Sequence, residues 1–207
     1  ALYIAQNGDA DVLLVHHRTS EDQFISQGYG VTRYDLMYND YILVGPRDDP
    51  ASVRFAANVI GAVQRIATNK NLFVSRGDDS GTHKKELELW NQSGIDTAKV
   101  GNGWYQETGR GMGGTLNMAS ALDAYTLSDR ATWLKFGNKG QLDILFQSDP
   151  PLFNPYGIIL VNPEKHPHIK TRDGQTFIDW MLSETGQTLI ADYRILGQQA
   201  FFPTAKP

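Results

Sequence analysis

Phe73-Val74-Ser75-Arg76-Gly77-Asp78-Asp79-Ser80-Gly81-Thr82-His83-Lys84-Lys85 passes from an apolar run, through a turn of glycine, hydroxyls and one arginine, into a helical segment. A strand that runs straight into a helix N-terminus is the repeating unit of α/β folds. The order also has a chemical consequence. The first turn of a helix exposes unpaired N–H groups and partial positive charge, so a small oxyanion can settle there. Ser80 and Thr82 supply neutral donors to such an ion, and Arg76 a charged one. Capping explains part of the pattern, because Asp79 or Ser80 before a helix that holds Leu87 and Trp90 satisfies a free amide in any case.

The flanking sequence alternates strands and helices. Asp11 to His16 is a short apolar run, which predicts a strand buried on both faces of a parallel sheet. A helix is expected over 20–27 and a second strand over 38–46. From Ala51 to Thr68 one helical face collects Val53, Ala56, Ala57, Ile60, Val63 and Ala67. Trp104-Tyr105 leads into a glycine loop and a helix that Thr115 starts, Ala124 to Leu127 leads into Ser128 and another helix, and Leu142 to Phe146 is a further strand. In the C-terminal helices, Phe177, Trp180, Met181, Ile190 and Tyr193 read as core. The start, Ala1 to Gly8, looks like a helix tail closed by Asn-Gly, and a truncation of the N-terminus is expected from it. Two stretches echo each other: Asn39-Asp40-Tyr41-Ile42-Leu43-Val44-Gly45-Pro46 and Asn154-Pro155-Tyr156-Gly157-Ile158-Ile159-Leu160-Val161-Asn162-Pro163. Either they are two crossing strands that bound an inserted lobe, or they share only ordinary strand chemistry.

Composition narrows the function. The 207 residues are 41% hydrophobic and 20% charged, with a net charge of -4 and no cysteine. Scattered basic residues in an acidic chain argue against a nucleic-acid groove or an anionic membrane surface. The lack of cysteine removes disulfides, thiolate metal sites and a cysteine nucleophile. No run approaches the roughly 18 apolar residues of a membrane span.

Other motifs fail on register. Gly77 and Gly81 do not fit G-x-x-x-x-G-K-[ST], and Ser80 lacks the glycine spacing of the hydrolase elbow. Ser80 with His83 leaves a weak nucleophile reading. Gly109-Arg110-Gly111-Met112-Gly113-Gly114 satisfies G-x-G-x-x-G, with Asp129 at the distance a dinucleotide site needs. The strand before it is too polar for a Rossmann core, so a second anion loop is the preferred reading, with Gly113 and Gly114 allowing close approach and Thr115 adding a hydroxyl. His16-His17 and His166-Pro167-His168 form no metal-ligand spacing. No cofactor is expected.

Ordered blocks from residue 1 to Pro203 resemble the tungstate-binding periplasmic proteins of ABC importers. They include Asp9 to His16, Tyr38-Asn39-Asp40, Phe73 to Lys85, Glu107-Thr108-Gly109, Gly113 to Asn117, Ala124 to Leu127 and Leu152 to Gly157. The resemblance implies an α/β, type II periplasmic-binding-protein-like fold: two α/β lobes joined by two crossing strands. Lobe I would comprise 1–40 and 153–207, with its N-terminal part missing, and lobe II, 41–152, would be inserted. The implied function is capture of tungstate, or molybdate, in the periplasm or outside the cell, by a monomer that hands the ion to an ABC permease and performs no chemistry. Arg76, Ser80 and Thr82, with Gly113, Gly114 and Thr115, take the ligand positions. The family's opening strand and its threonine- and serine-rich turn have no match here. Tungstate, molybdate and sulfate carry no proton near neutral pH and only accept hydrogen bonds, whereas phosphate benefits from a carboxylate acceptor. Asp78 and Asp79 are therefore expected to face away from the ion, toward Arg76, Lys84 or the helix end. The alternatives are a phosphate- or sulfate-binding relative and a nucleotide-dependent enzyme that uses the 109–114 loop.

Overall fold

The computed structural model describes residues 1–100 and 103–205. In chain order its elements are α1 (Leu2–Gln6), β1 (Val12–Val15), α2 (Arg18–Ser26), β2 (Gly30–Pro46), α3 (Val59–Thr68), β3 (Phe73–Ser75), α4 (Gly81–Gln92), β4 (Tyr105–Glu107), α5 (Met112–Leu122) and β5 (Thr126–Asp129). They continue with α6 (Arg130–Lys135), β6 (Leu142–Phe146), β7 (Phe153–Val161), α7 (Thr171–Leu182), α8 (Glu184–Asp192), β8 (Arg194–Ile195), β9 (Gln198–Gln199) and β10 (Phe202–Pro203). The chain separates into two compact units, one of Ala1–Asn39 with Asn154–Pro207 and one of Asp40–Phe153.

The first unit holds a sheet in the order β1-β7-β2-β10. Its central strand β7 has apolar residues pointing both ways: Ile159 and Val161 join Ala5, Leu13, Val15 and Phe24 on one face, while Ile158 and Leu160 join Leu36 and Ile178 on the other. A continuous aliphatic run is what a strand covered on both faces requires. β1 differs from its expectation. It pairs antiparallel with β7, from Val12 opposite Leu160 to Val15 opposite Gly157, and Leu14 is 39% exposed while Leu13 and Val15 are buried. Leu13 and Val15 fill one face, and on the other Val12 packs against the second cluster while Leu14 stays partly outside. α1 ends as Asn-Gly predicts, with Asn7 as C-cap and Gly8 at φ +82°. The C-terminal helices meet expectation in part, since Met181 and Ile190 pack against the cluster of Ile158, Leu160 and Ile178. Gly174 and Ile178 supply the buried stripe of α7, whereas Phe177, Trp180 and Tyr193 are exposed.

In the second unit, antiparallel pairing places β5 and β6 on either side of β2, with Leu43 opposite both Leu127 and Phe146. Bonds from Val74 N–H to the Tyr125 carbonyl (2.8 Å) and from Tyr125 N–H to the Leu72 carbonyl (2.9 Å) join β3 to the chain entering β5. β4 then pairs parallel with β3, Ser75 opposite Glu107. The order is thus β4-β3-β5-β2-β6, and α3, α4 and α5 cover it. The core packs Val59, Val63 and Ile66 of α3 against Leu89 and Trp90 of α4 and Leu43, Phe73 and Leu127 of the strands. The long helix expected over 51–68 is broken. The Asp49 carboxylate accepts from the Val53 and Arg54 amides to hold a short 3-10 turn, Val53–Phe55, and Asn58 then starts α3 by accepting from Gly61 N–H. Side-chain capping competes with helix continuation, and here it divides one apolar pattern in two. Asp129, rather than Ser128, caps α6 through the Thr132 amide.

Candidate anion-binding site

β3 and β4 run parallel and side by side, and each ends in a glycine-bearing turn that opens a helix, α4 after β3 and α5 after β4. Two helix N-termini therefore issue from the same edge of the sheet, where open α/β sheets place their ligands.

The first turn is set by its own residues. Gly77 takes φ +60°, and a side-chain Cβ there would come within 2.7 Å of Glu107 Cβ, so the position admits only glycine without rearrangement. Asp79 also adopts the left-handed region, at φ +57°, which aspartate tolerates better than most residues. Ser80 caps α4 by accepting from His83 N–H at 3.3 Å. The amides of Gly81 and Thr82 have no partner among the described residues, nor does the hydroxyl of Thr82, although Thr82 is buried.

Arg76 is oriented by Asp78. Its Nε and Nη2 donate to Asp78 Oδ2 at 3.1 and 2.5 Å, and Asp78 Oδ1 accepts from Ser80 N–H at 3.2 Å. That leaves Nη1 with no partner among the described residues. Burial pushes the Asp78 carboxyl upward, but the Ser80 hydroxyl, the Arg76 guanidinium and the Ser80 amide outweigh it and hold the group below its usual range. Asp79 points outward, exposed, with Lys84 Nζ at 3.5 Å.

The second turn is tied to the first by Thr108. Its hydroxyl donates to the Arg76 carbonyl at 3.1 Å, accepts from Arg110 N–H at 3.1 Å and lies 3.1 Å from the Thr115 hydroxyl, while its amide donates to the Ser75 carbonyl. α5 begins at Met112, three residues ahead of Thr115. Its N-cap, Gly111, has no side chain to cap with, and the amides of Met112, Gly113 and Gly114 have no partner among the described residues. A Cβ on Gly113 would meet open space. Thr115 is fully buried, and its hydroxyl lies near the carbonyls of Arg110 and Gly111, so it braces the loop from beneath rather than standing open to an ion.

Arg76, Ser80, Thr82, Gly113 and Gly114 thus sit on two linked turns of one unit, with Thr115 behind them. Asp78 and Asp79 turn toward Arg76, the helix start and Lys84, as the sequence leads one to expect, whereas nothing in the sequence gives Thr108 its bridging role. Glu107-Thr108-Gly109 was conspicuous there only as part of a resemblance, since a lone threonine after a polar strand has no distinctive pattern.

The rival chemistries find no support in the geometry. The His83 ring accepts from the Asp79 amide through Nδ1, and its Nε2 lies 3.8 Å from Glu107, so no imidazole nitrogen is bonded to the Ser80 hydroxyl. Asp129, the acidic residue of the dinucleotide spacing, is engaged as a helix cap. Among the described residues no three His, Asp or Glu side chains group as metal ligands. His166 and His168 instead bond the Gln6 and Gly8 carbonyls.

Helix amides, hydroxyls and one guanidinium at the ends of adjoining parallel strands define the class: an α/β solute-binding fold whose donor set suits an anion. The chain belongs to the PBP superfamily, whose domain model matches residues 1–185. It is 44% identical over 209 residues to the tungstate-binding protein TupA of Peptoclostridium acidaminophilum, an alignment that covers 99% of this chain and 72% of that protein. The structure of the tungstate-binding protein TupA from Desulfovibrio alaskensis G20 superposes with a TM-score of 0.94 at 40% identity, covering 100% of this chain and 83% of that one. The tungstate ABC transporter structure from Geobacter sulfurreducens gives a TM-score of 0.76 at 48% identity, covering 93% and 81%.

Proposed function

We propose that the protein captures a tetrahedral oxyanion, tungstate or the similar molybdate, outside the cytoplasmic membrane and passes it unchanged to an ABC permease. Arg76 carries the reading. Asp78 occupies one edge of its guanidinium and leaves Nη1 as a charged donor on the same turn that carries the amides of Gly81 and Thr82, none of the three with a partner among the described residues. The ligand set is Arg76, Ser80 and Thr82, with the amides of Gly113 and Gly114 and with Thr115 supporting them. Relatives named as tungstate-binding proteins over nearly the whole chain support tungstate, and a relative named as a tungstate ABC transporter supports import. The reading has the protein act as a monomer beside its permease; no helix among the described residues is long and apolar enough to cross a membrane.

Physical chemistry favours a proton-free anion. The one carboxylate next to the donors, Asp78, is already paired with Arg76 and the Ser80 amide, so a protonated phosphate would find its O–H without an acceptor. Calorimetric titration of the intact protein with tungstate, molybdate, sulfate and phosphate tests this. Phosphate is expected to bind at least about a hundredfold more weakly than tungstate, the cost of one unmet hydrogen bond at a charged centre. Phosphate binding as tightly as tungstate, or no binding of any of the four, refutes the proposal.

A further inference from the structure

Thr82 and Glu86 are four residues apart on α4 and both are buried, so they share one helix face with about 6 Å between their Cβ atoms. Glu86, at 2% exposure, forms no ion pair among the described residues. Its Oε1 accepts from the Tyr105 hydroxyl at 2.7 Å and from Trp90 Nε1 at 3.2 Å. The Ser75 hydroxyl is buried beside this carboxyl with no other partner among the described residues, and Ser75 directly precedes Arg76. The Ser75 hydroxyl can donate to the carboxylate or accept from the protonated acid, so it serves either state of Glu86. A carboxylate there would leave a negative charge, ringed by neutral groups, one helical turn below the Thr82 hydroxyl.

We propose that Glu86 is the proton-binding residue that governs the anion site, which must hold it neutral for a dianion to bind tightly. The inference rests on the oxyanion reading and adds to it a coupling between ligand and proton. Above neutral pH, capture of the ion draws one proton from solvent onto Glu86, because the dianion and the carboxylate repel each other through a poorly polarisable interior.

The surroundings leave Glu86 as the group in question. Burial pushes its carboxyl up to about 7, and the nearby Glu107 charge adds to the rise against the lowering effect of its hydrogen-bond donors. From β4 it is faced by Tyr105 and Glu107, and from β3 by Ser75, followed by Arg76 with its guanidinium engaged by Asp78. His83 lies one turn away on α4 and points toward Glu107. α3 and β5 meet α4 through the apolar cluster that contains Val63, Leu127 and Trp90.

The experiment is calorimetric titration of the intact protein with molybdate at pH 6.5 and 8.5, at fixed ionic strength and in two buffers of different ionisation heat. Molybdate stays fully deprotonated across this range, so any slope belongs to the protein. Wild type is expected to bind about twentyfold more weakly at pH 8.5 and to take up close to one proton per ion there. Glu86→Gln is expected to bind alike at both pH values without proton uptake, while His83→Gln keeps the slope. A wild type with neither slope nor proton uptake, or a slope that persists in Glu86→Gln, overturns the inference and leaves the oxyanion reading standing. Absence of binding at either pH overturns both.

Discussion

Replacing Arg76 with alanine removes the charged donor of the first turn, and the structure sets the size of the loss. Nη1 is the free nitrogen, since Nε and Nη2 are bound to Asp78, so the ion loses one charge-assisted hydrogen bond worth roughly 1.5 to 3 kcal/mol. That is about tenfold to about a hundredfold in dissociation constant. A second effect acts in the same direction: Asp78 loses its cation and becomes an uncompensated carboxylate beside the dianion. The expected loss lies in the upper part of the range, and Arg76→Ala combined with Asp78→Asn should bind more tightly than Arg76→Ala alone. Stability should hardly change. The pair is local, two residues apart, and Asp78 keeps the Ser80 amide as a donor when Arg76 is removed, so breaking the pair costs about 1 kcal/mol, a melting shift of roughly 2–4 °C at this chain length. Tungstate calorimetry on the three proteins, each checked by thermal melting, is the assay. An Arg76→Ala dissociation constant within about twofold of wild type would refute the reasoning.

Gly113→Asp places a carboxylate in open space at the uncapped start of α5, so the variant should fold, gain a little from the helix dipole and lose oxyanion binding, as calorimetry and melting would reveal together. Asp40→Ala strands the Arg130 guanidinium, whose Nε and Nη2 donate to the buried Asp40 carboxylate at 2.8 and 2.6 Å, and should cost about 3–5 kcal/mol in urea unfolding. Glu86 also leaves a mark on stability without ligand. Because folding raises its carboxyl to about 7, the folded state holds the proton more tightly, so the contribution is full below pH 4.5 and is lost as pH rises through 7. Wild type should lose about 3 kcal/mol relative to Glu86→Gln between pH 4.5 and 8.5, and parallel urea profiles for the two proteins would count against a buried, uncompensated acid.

Local chemistry made much of the second unit legible. Phe73-Val74, the polar turn and the following helix form as the residue pattern indicates, because strand, glycine turn and cap each act within a few residues. The two tyrosine-bearing runs around Tyr41 and Tyr156 are both strands, β2 and β7. The misreadings arose where a distant partner decides the outcome. β1 has the composition of a doubly buried strand, yet its antiparallel pairing with β7 leaves Leu14 outside. Apolar positions across 51–68 fit one helix, and only the competing carboxylate of Asp49 and the amide oxygen of Asn58 break it. In α7, Ile178 alone among the large side chains is fully buried, although Phe177 and Trp180 are bulkier. Thr115 fits an anion loop by type and place, but only the Thr108 hydroxyl, seven residues away, shows that it braces the loop.

The arrangement also explains how an acidic protein can hold a dianion without a basic patch. Both aspartates of the first turn are neutralised within it, Asp78 by Arg76 and the Ser80 amide, Asp79 by exposure and Lys84. The remaining donors are amides and hydroxyls whose partial charges fade within a few ångströms, so attraction is confined to the turns themselves. Such a site recognises charge by hydrogen-bond geometry rather than by long-range field, and its affinity should depend only weakly on ionic strength. A cluster of lysines would give strong salt dependence and little discrimination between a bare and a protonated oxyanion. Here, the Asp78 clamp fixes the direction of the Arg76 guanidinium and withholds its own carboxylate from the ligand as an acceptor, so one ion pair serves both orientation and selectivity.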